Sequence, residues 1–108
     1  MTVQELSDSL ALKIFHLAEP ERTVTGGYCG DLLSWVMGRA AADSAWLTIM
    51  SNVNVAAVAA LSDVACVMLT EGVEPDEALL AKVRIQGINL LGTERSTFDA
   101  AAALAQLL

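Results

Sequence analysis

Short apolar runs alternate with polar or glycine-bearing junctions along the whole chain, and the period of the apolar positions changes from run to run. Val3, Leu6, Leu10 and Ala11 recur at helical spacing. Thr2-Val-Gln-Glu5 before them has the form of a capping box, the threonine oxygen accepting from a backbone amide while the glutamate reaches back. This predicts a first helix to about Ala11. Leu12–Leu17 follows as a strand, with Ile14 and Phe15 as β-prone bulk. Ala18–Arg22 holds Pro20 and three charges and reads as a loop. Thr23–Tyr28 is predicted as a second strand. Asp31 stands where it can cap a short helix running to about Met37, with Gly38 as its end.

Ala45–Met50 is predicted as a third strand and Ser51–Asn54 as a junction in which either asparagine can cap. The alanine-rich helix Val55–Val64 suits close packing on a sheet. Ala65–Leu69, apolar throughout, reads as a fourth strand, and Thr70–Glu74 as a turn. Pro75 fits a first helical turn, and Asp76 and Glu77 favour its positive end. That helix reaches about Gln86 and stops at Gly87. Ile88–Leu91 reads as a fifth strand, and Ser96, with Asp99 three residues on, caps a last helix. Strand and helix thus alternate, which implies right-handed crossovers and a parallel sheet. The predicted fold class is α/β, a three-layer αβα arrangement around a mostly parallel sheet of about five strands, with residues 1–108 forming one domain.

Composition narrows the function classes. The hydrophobic share is 55% of 108 residues, above ordinary globular usage, and much of the excess is alanine. So apolar a small domain is expected to show surface to a partner, with a second copy as the default. Thirteen acidic residues against six basic ones give a net charge of −7. That balance opposes nucleic-acid backbones and anionic membranes. Val53–Leu69 is interrupted by Asn54, Ser62 and Asp63 and is too short for a membrane span. No charged-then-apolar leader opens the chain, so a cytoplasmic location is expected. With two separated cysteines and one histidine, no metal site and no cofactor are expected. Cys29 and Cys66 read as buried free thiols.

The candidate chemistry sits at the junctions. Ligands of a parallel α/β sheet bind beyond the carboxyl ends of its strands. Here those ends are Gly30–Asp31, Ser51–Asn54, Thr70–Glu71 and Gly92–Thr93. Caps and turns account for most of these residues on their own. The functional alternative is a crevice for a small polar metabolite or nucleotide-like ligand. It would be lined by Gly26, Gly27, Gly30, Asp31, Asn52, Asn54, Thr70 and Glu71, with the carboxylates accepting from hydroxyl or amino groups. No phosphate-loop lysine follows the glycines, and their spacing does not match the dinucleotide fingerprint. A Cys29–His16 nucleophile pair would need both side chains on one face of paired strands. No catalytic residue is assigned. Arg22, between Glu19, Glu21 and their loop, reads as a solvated charge cluster or as an anchor for an anion or neighbouring subunit. Trp35, Val36 and Met37 are consecutive on a short helix and cannot all face one core, so Trp35 and Met37 are candidate interface residues.

Glu21-Arg-x-Val-x-Gly26, Gly30-Asp-Leu-Leu-Ser-Trp-Val-Met-Gly38, Trp46-Leu-Thr-Ile-Met-Ser-Asn-Val-Asn-Val-Ala-Ala-Val-Ala59 and Gly87-Ile-Asn-Leu-Leu-Gly-Thr93 together resemble stand-alone DRTGG domains. Glu21 departs from that pattern, which has a shorter Asp. The resemblance implies a small α/β domain similar to the N-terminal domain of HPr kinase/phosphorylase, without that enzyme's phosphate loop. It also implies a regulatory role; with the apolar composition and the missing catalytic constellation, the expectation is a non-enzymatic homodimer. Stand-alone members occur beside hydrogenase and redox-signalling genes, so the alternative is a protein-interaction subunit of a redox or metabolic regulatory complex.

Overall fold

The computed structural model describes all 108 residues. Helix α1 (Val3–Leu10) starts from the capping box: the Glu5 amide donates to Thr2 Oγ1 at 3.1 Å and the Thr2 amide to Glu5 Oε1 at 3.0 Å. It ends at Ala11, which takes the left-handed conformation (φ 51°). Strands β1 (Lys13–His16) and β2 (Gly26–Cys29) follow, then α2 (Leu33–Arg39), β3 (Ser44–Thr48), α3 (Asn54–Ser62), β4 (Cys66–Leu69), α4 (Glu77–Gln86), β5 (Leu90–Gly92) and α5 (Thr97–Leu107). Asp76 and Ser96 cap α4 and α5 through side-chain oxygens, and Gly87 ends α4 at φ 68°. Arg95 closes the other end of α1, donating to the Leu10 carbonyl at 2.7 Å.

The five strands lie in the order β1-β5-β4-β3-β2. β2, β3, β4 and β5 are parallel, and β1 runs antiparallel against β5. Helices cover both faces, as the α/β reading requires. One core, containing Leu6, Leu47, Met68 and Leu104, lies under α1 and α5. The other, containing Trp46, Val55, Leu69 and Leu79, lies under α2, α3 and α4. The central strands are buried on both faces, which explains their unbroken apolar runs.

Four local expectations need correction. Gly26 and Gly27 open β2 and do not stand at its finish with Gly30 and Asp31. A Cβ on Gly27 would stand 2.8 Å from Leu104 Cδ2, so this glycine lets α5 settle onto the sheet. Asp31 does not cap α2: Leu32 is the N-cap, without a side-chain bond, and Asp31 bonds across to β3 instead. Gly38 lies within α2, whose C-cap is Ala40. Neither asparagine caps α3. Val53 holds that position, Asn52 Oδ1 accepts from the Asn54 amide at 3.0 Å, and the helix ends one residue before Asp63. Asp31 and Asn52, side chains with capping chemistry, bond to other partners instead.

Candidate functional site

At the end of the sheet where the parallel strands begin, the segment before β2 is fastened by Arg22. Its Nη2 donates to Asp63 Oδ1 at 2.8 Å, the Asp63 carbonyl at 2.6 Å and Asp43 Oδ1 at 3.0 Å. Asp43 and Asp63 both sit at positive φ, 63° and 54°, and the Asp43 amide donates to the Asp63 carbonyl at 3.0 Å. Burial alone would weaken the guanidinium's hold on its proton, and the Asp63 and Asp43 carboxylates more than offset this, so its pKa is raised. Arg22 is therefore an internal clamp, not a solvated cluster. It holds three segments that are distant in sequence, which local pattern does not reveal.

Asn89 completes that end. It is 2% exposed and saturated: Oδ1 accepts from the Ala18 and Glu19 amides at 2.9 and 2.8 Å, and Nδ2 donates to the Glu19 and Ala65 carbonyls at 2.8 and 3.0 Å. One buried amide thus ties the loop after β1 to the starts of β4 and β5.

The other end, where the parallel strands finish, holds most of the candidate ligand residues. Asp31 Oδ1 accepts from Thr48 Oγ1 at 2.8 Å and from the Ile49 amide at 3.0 Å, joining the ends of β2 and β3. Gly30 offers its carbonyl to Trp46 Nε1 at 2.8 Å. Thr70 is fully buried, and its hydroxyl lies 2.6 Å from Thr97 Oγ1. Glu71 Oε2 accepts from the Thr97 amide at the start of α5 at 3.0 Å. Glu71 is at φ 61° and Gly72 at φ 73°, consecutive left-handed residues held by the Arg95 and Thr93 carbonyls. The second oxygen of Asp31 and that of Glu71 have no protein partner.

These residues form a connected row along the strand ends. The Thr70 amide donates to the Thr48 carbonyl, and the Asp76 amide to the Ser51 carbonyl, both at 3.1 Å. Asn52 and Asn54 stand at the start of α3 within the row. Gly26 and Gly27 do not belong to it, because β2 carries them at its opposite end. No cavity is lined by Asp31, Asn52, Asn54, Thr70 or Glu71. The nearest cavity, about 100 Å³, lies beside the row between Lys13, Phe15, Gly72, Glu74, Thr93 and Glu94. Gly27 lines a separate apolar groove under α5, with Cys29, Leu47 and Leu104.

The arrangement limits the chemistry. Asp31 and Glu71 already occupy the Ile49 and Thr97 amides, so an anionic group would have to displace a carboxylate. Groups that donate hydrogen bonds fit the free oxygens better. His16 and Cys29 lie on β1 and β2, at opposite edges of the sheet with three strands between them. Four strand spacings separate them by roughly 19 Å, too far for a nucleophile–base pair. Desolvation raises the Cys29 thiol pKa, with Asp31 adding to it, and burial pushes Cys66 up to about 12. Both are free thiols, but Cys29 is exposed, contrary to the expectation of burial. Trp35 and Met37 are 52% and 51% exposed while Val36 between them is fully buried. Arg39 stacks on the Trp35 ring, 3.7 Å from its centroid.

A profile of the DRTGG domain matches residues 41–107. The match lies beyond the Glu21–Gly38 segment that carries the first motifs of the resemblance. No curated protein matches the chain. Among solved structures, the chain resembles the CBS and DRTGG domains of the regulatory region of Clostridium perfringens pyrophosphatase, complexed with its activator diadenosine tetraphosphate. The TM-score is 0.77 at 13% identity, over 99% of this chain and 47% of that one, so the chain spans about half that structure's length. The likeness establishes a shared fold. No helix of the chain is long and apolar enough to cross a membrane.

Proposed function

The chain belongs to the DRTGG domain family, and from that premise we propose that it is a non-catalytic regulatory module of the cytoplasm. It acts as a homodimer and binds a small polar metabolite at the row of strand ends. The carrying observation is Glu71, held in the left-handed region at the finish of β4 with one carboxylate oxygen unpartnered. A non-glycine residue there costs roughly 1–2 kcal/mol, and such strain collects at functional positions. Asp31, with its own free oxygen, supplies a second acceptor. The geometry favours hydroxyl and amino donors, as on a ribose or an amino sugar, above a bare phosphate. The pyrophosphatase regulatory region, crystallised with a dinucleotide, supports a nucleoside-bearing ligand as the first to test. Likeness to the N-terminal domain of HPr kinase/phosphorylase belongs to the same proposal and carries no kinase chemistry with it.

Thermal-shift measurements with nucleosides, nucleotides, dinucleotides and sugar phosphates test this reading. The expected result is stabilisation by one of them that disappears in Glu71→Ala and Asp31→Ala. Absence of any shift, or a shift that survives both changes, sinks it. The exposed Trp35 and Met37 favour a second reading, an interaction subunit with no small ligand. In that case Trp35→Ala loses the partner and no ligand shifts the melt.

A further inference from the structure

The two edges of the sheet differ. β1 shows features that natural edges use against pairing: Lys13 and a register irregularity between Ile14 and His16. β2 has one neighbour, β3, in regular register, and its other side is unpaired from Gly26 on; just before it, Met1–Val3 cover the outward side, with Thr2 bridged to Thr23 and the Val24 amide donating to the Met1 carbonyl. From Gly26 to Gly30 there is no charge and no proline. The Thr25 amide donates to the Asp43 carbonyl of the neighbouring segment, so by strand alternation the Gly26 amide points away from β3.

We infer that two copies of the chain join through β2, antiparallel and edge to edge, with α5 of one copy packed against α5 of the other. The inference rests on the dimeric part of the proposed function and assigns its surface. Charge selects the occupant. Copies that each carry −7 repel unless they meet where charges are missing, and the β2 rim is such a place. A basic partner would need acids along that rim, and the rim has none.

Helix α5 adds self-complementarity. Phe98, Ala101, Ala105 and Leu108 follow one another at spacings of three, four and three, on one flank of the helix. Ala101, Ala105 and Leu108 line the apolar groove of about 160 Å³ that runs between α5 and β2. Phe98 is 81% exposed and Leu108 50%. The series reads large, small, small, large in both directions. A twofold axis through the β2 seam, perpendicular to the sheet, sets the helices antiparallel. It places small against small at the centre, for close approach, and large residues at the ends. The helix dipoles then oppose each other favourably. The flank turned away from β2 carries Asp99 and Gln106, as a solvated side should.

Sedimentation velocity on the full chain over a concentration series tests the inference. Wild type is expected to associate to a dimer. Ala105→Glu, at an exposed position, and Gly26→Pro, which removes an outward amide, should each weaken association about tenfold or more. Both should keep the wild-type circular dichroism spectrum, and Ile85→Glu on α4 should associate as wild type does. A wild type that stays monomeric overturns the inference. So does a dimer that both variants leave intact, or one that Trp35→Ala alone dissociates. Ligand-induced melting shifts on the same variants read the metabolite site separately. A monomeric variant that still responds to ligand leaves the metabolite reading standing whatever becomes of the dimer.

Discussion

The two ends of the sheet are built on opposite principles. Where the parallel strands begin, polar groups are consumed by the fold: Asn89 satisfies four backbone partners and Arg22 holds two aspartates. Where the strands finish, Asp31 and Glu71 make internal bonds, keep an oxygen free and enter no ion pair, whereas the spare oxygens of Asp43 and Asp63 belong to carboxylates that Arg22 already neutralises. The first end is organised for stability and the second for contact. Polar residues alone therefore do not mark a site in this fold. A carboxylate with spare bonding capacity and no paired cation does.

The contrast breaks first if Asn89 proves dispensable. Asn89→Ala strands two amides and two carbonyls in a buried setting, which should cost about 3 kcal/mol or more in urea unfolding. Arg22→Met should come next. The Arg22 side chain is 19% exposed and the aspartates are more so, so partial screening limits the loss to about 1–2 kcal/mol. Equal effects from Asp31→Ala would erase the distinction between the ends. Glu71→Gly sharpens it: relief of the left-handed strain offsets the lost bond to the Thr97 amide. Unfolding should then stay within about 1 kcal/mol of wild type while any ligand-induced shift vanishes.

The smallest effect is pH dependence. The Thr2 backbone amide holds the Glu5 carboxyl below its usual value, and the Lys13 ammonium does the same for Glu74. A depressed carboxylate contributes stability above its unfolded pKa and loses it as pH falls through the folded value. Melting temperature should therefore drop slightly on acidification below the ordinary glutamate range. Glu5→Gln should flatten part of that slope, and a steeper slope in the variant would contradict the assignment.

What the residues disclosed follows the reach of each interaction. Thr2 with Glu5, Asp76, Gly87, and Ser96 with Asp99 signal helix ends through bonds spanning three or four positions, and the alternation of elements implied the layered sheet. Asp31 has the same local signature as those caps, but its partners are Thr48 and Ile49, across the sheet, so the same signal pointed to the wrong bond. Gly26 and Gly27 were grouped with the strand-end residues because the packing that asks for a glycine, that of Gly27 against Leu104, involves a residue far along the chain. Asp31, Asn52, Asn54, Thr70 and Glu71 follow the finishes of β2, β3 and β4, where the alternation of elements put them. The buried role of Asn89 and the Arg22 clamp depend on partners up to about seventy positions away and leave no local trace.

The place of β1 has a consequence for how the chain is made. Its only sheet partner is β5, with Lys13 opposite Gly92 and His16 opposite Leu90. During synthesis β1 thus has nothing to pair with until β5 has been made, after β2, β3 and β4. The β2, β3 and β4 strands can assemble in the order in which they appear. The antiparallel edge and α1, which packs on α5 and is bonded by Arg95, close the domain last. Of the elements of this domain, the earliest made are among the last to be enclosed.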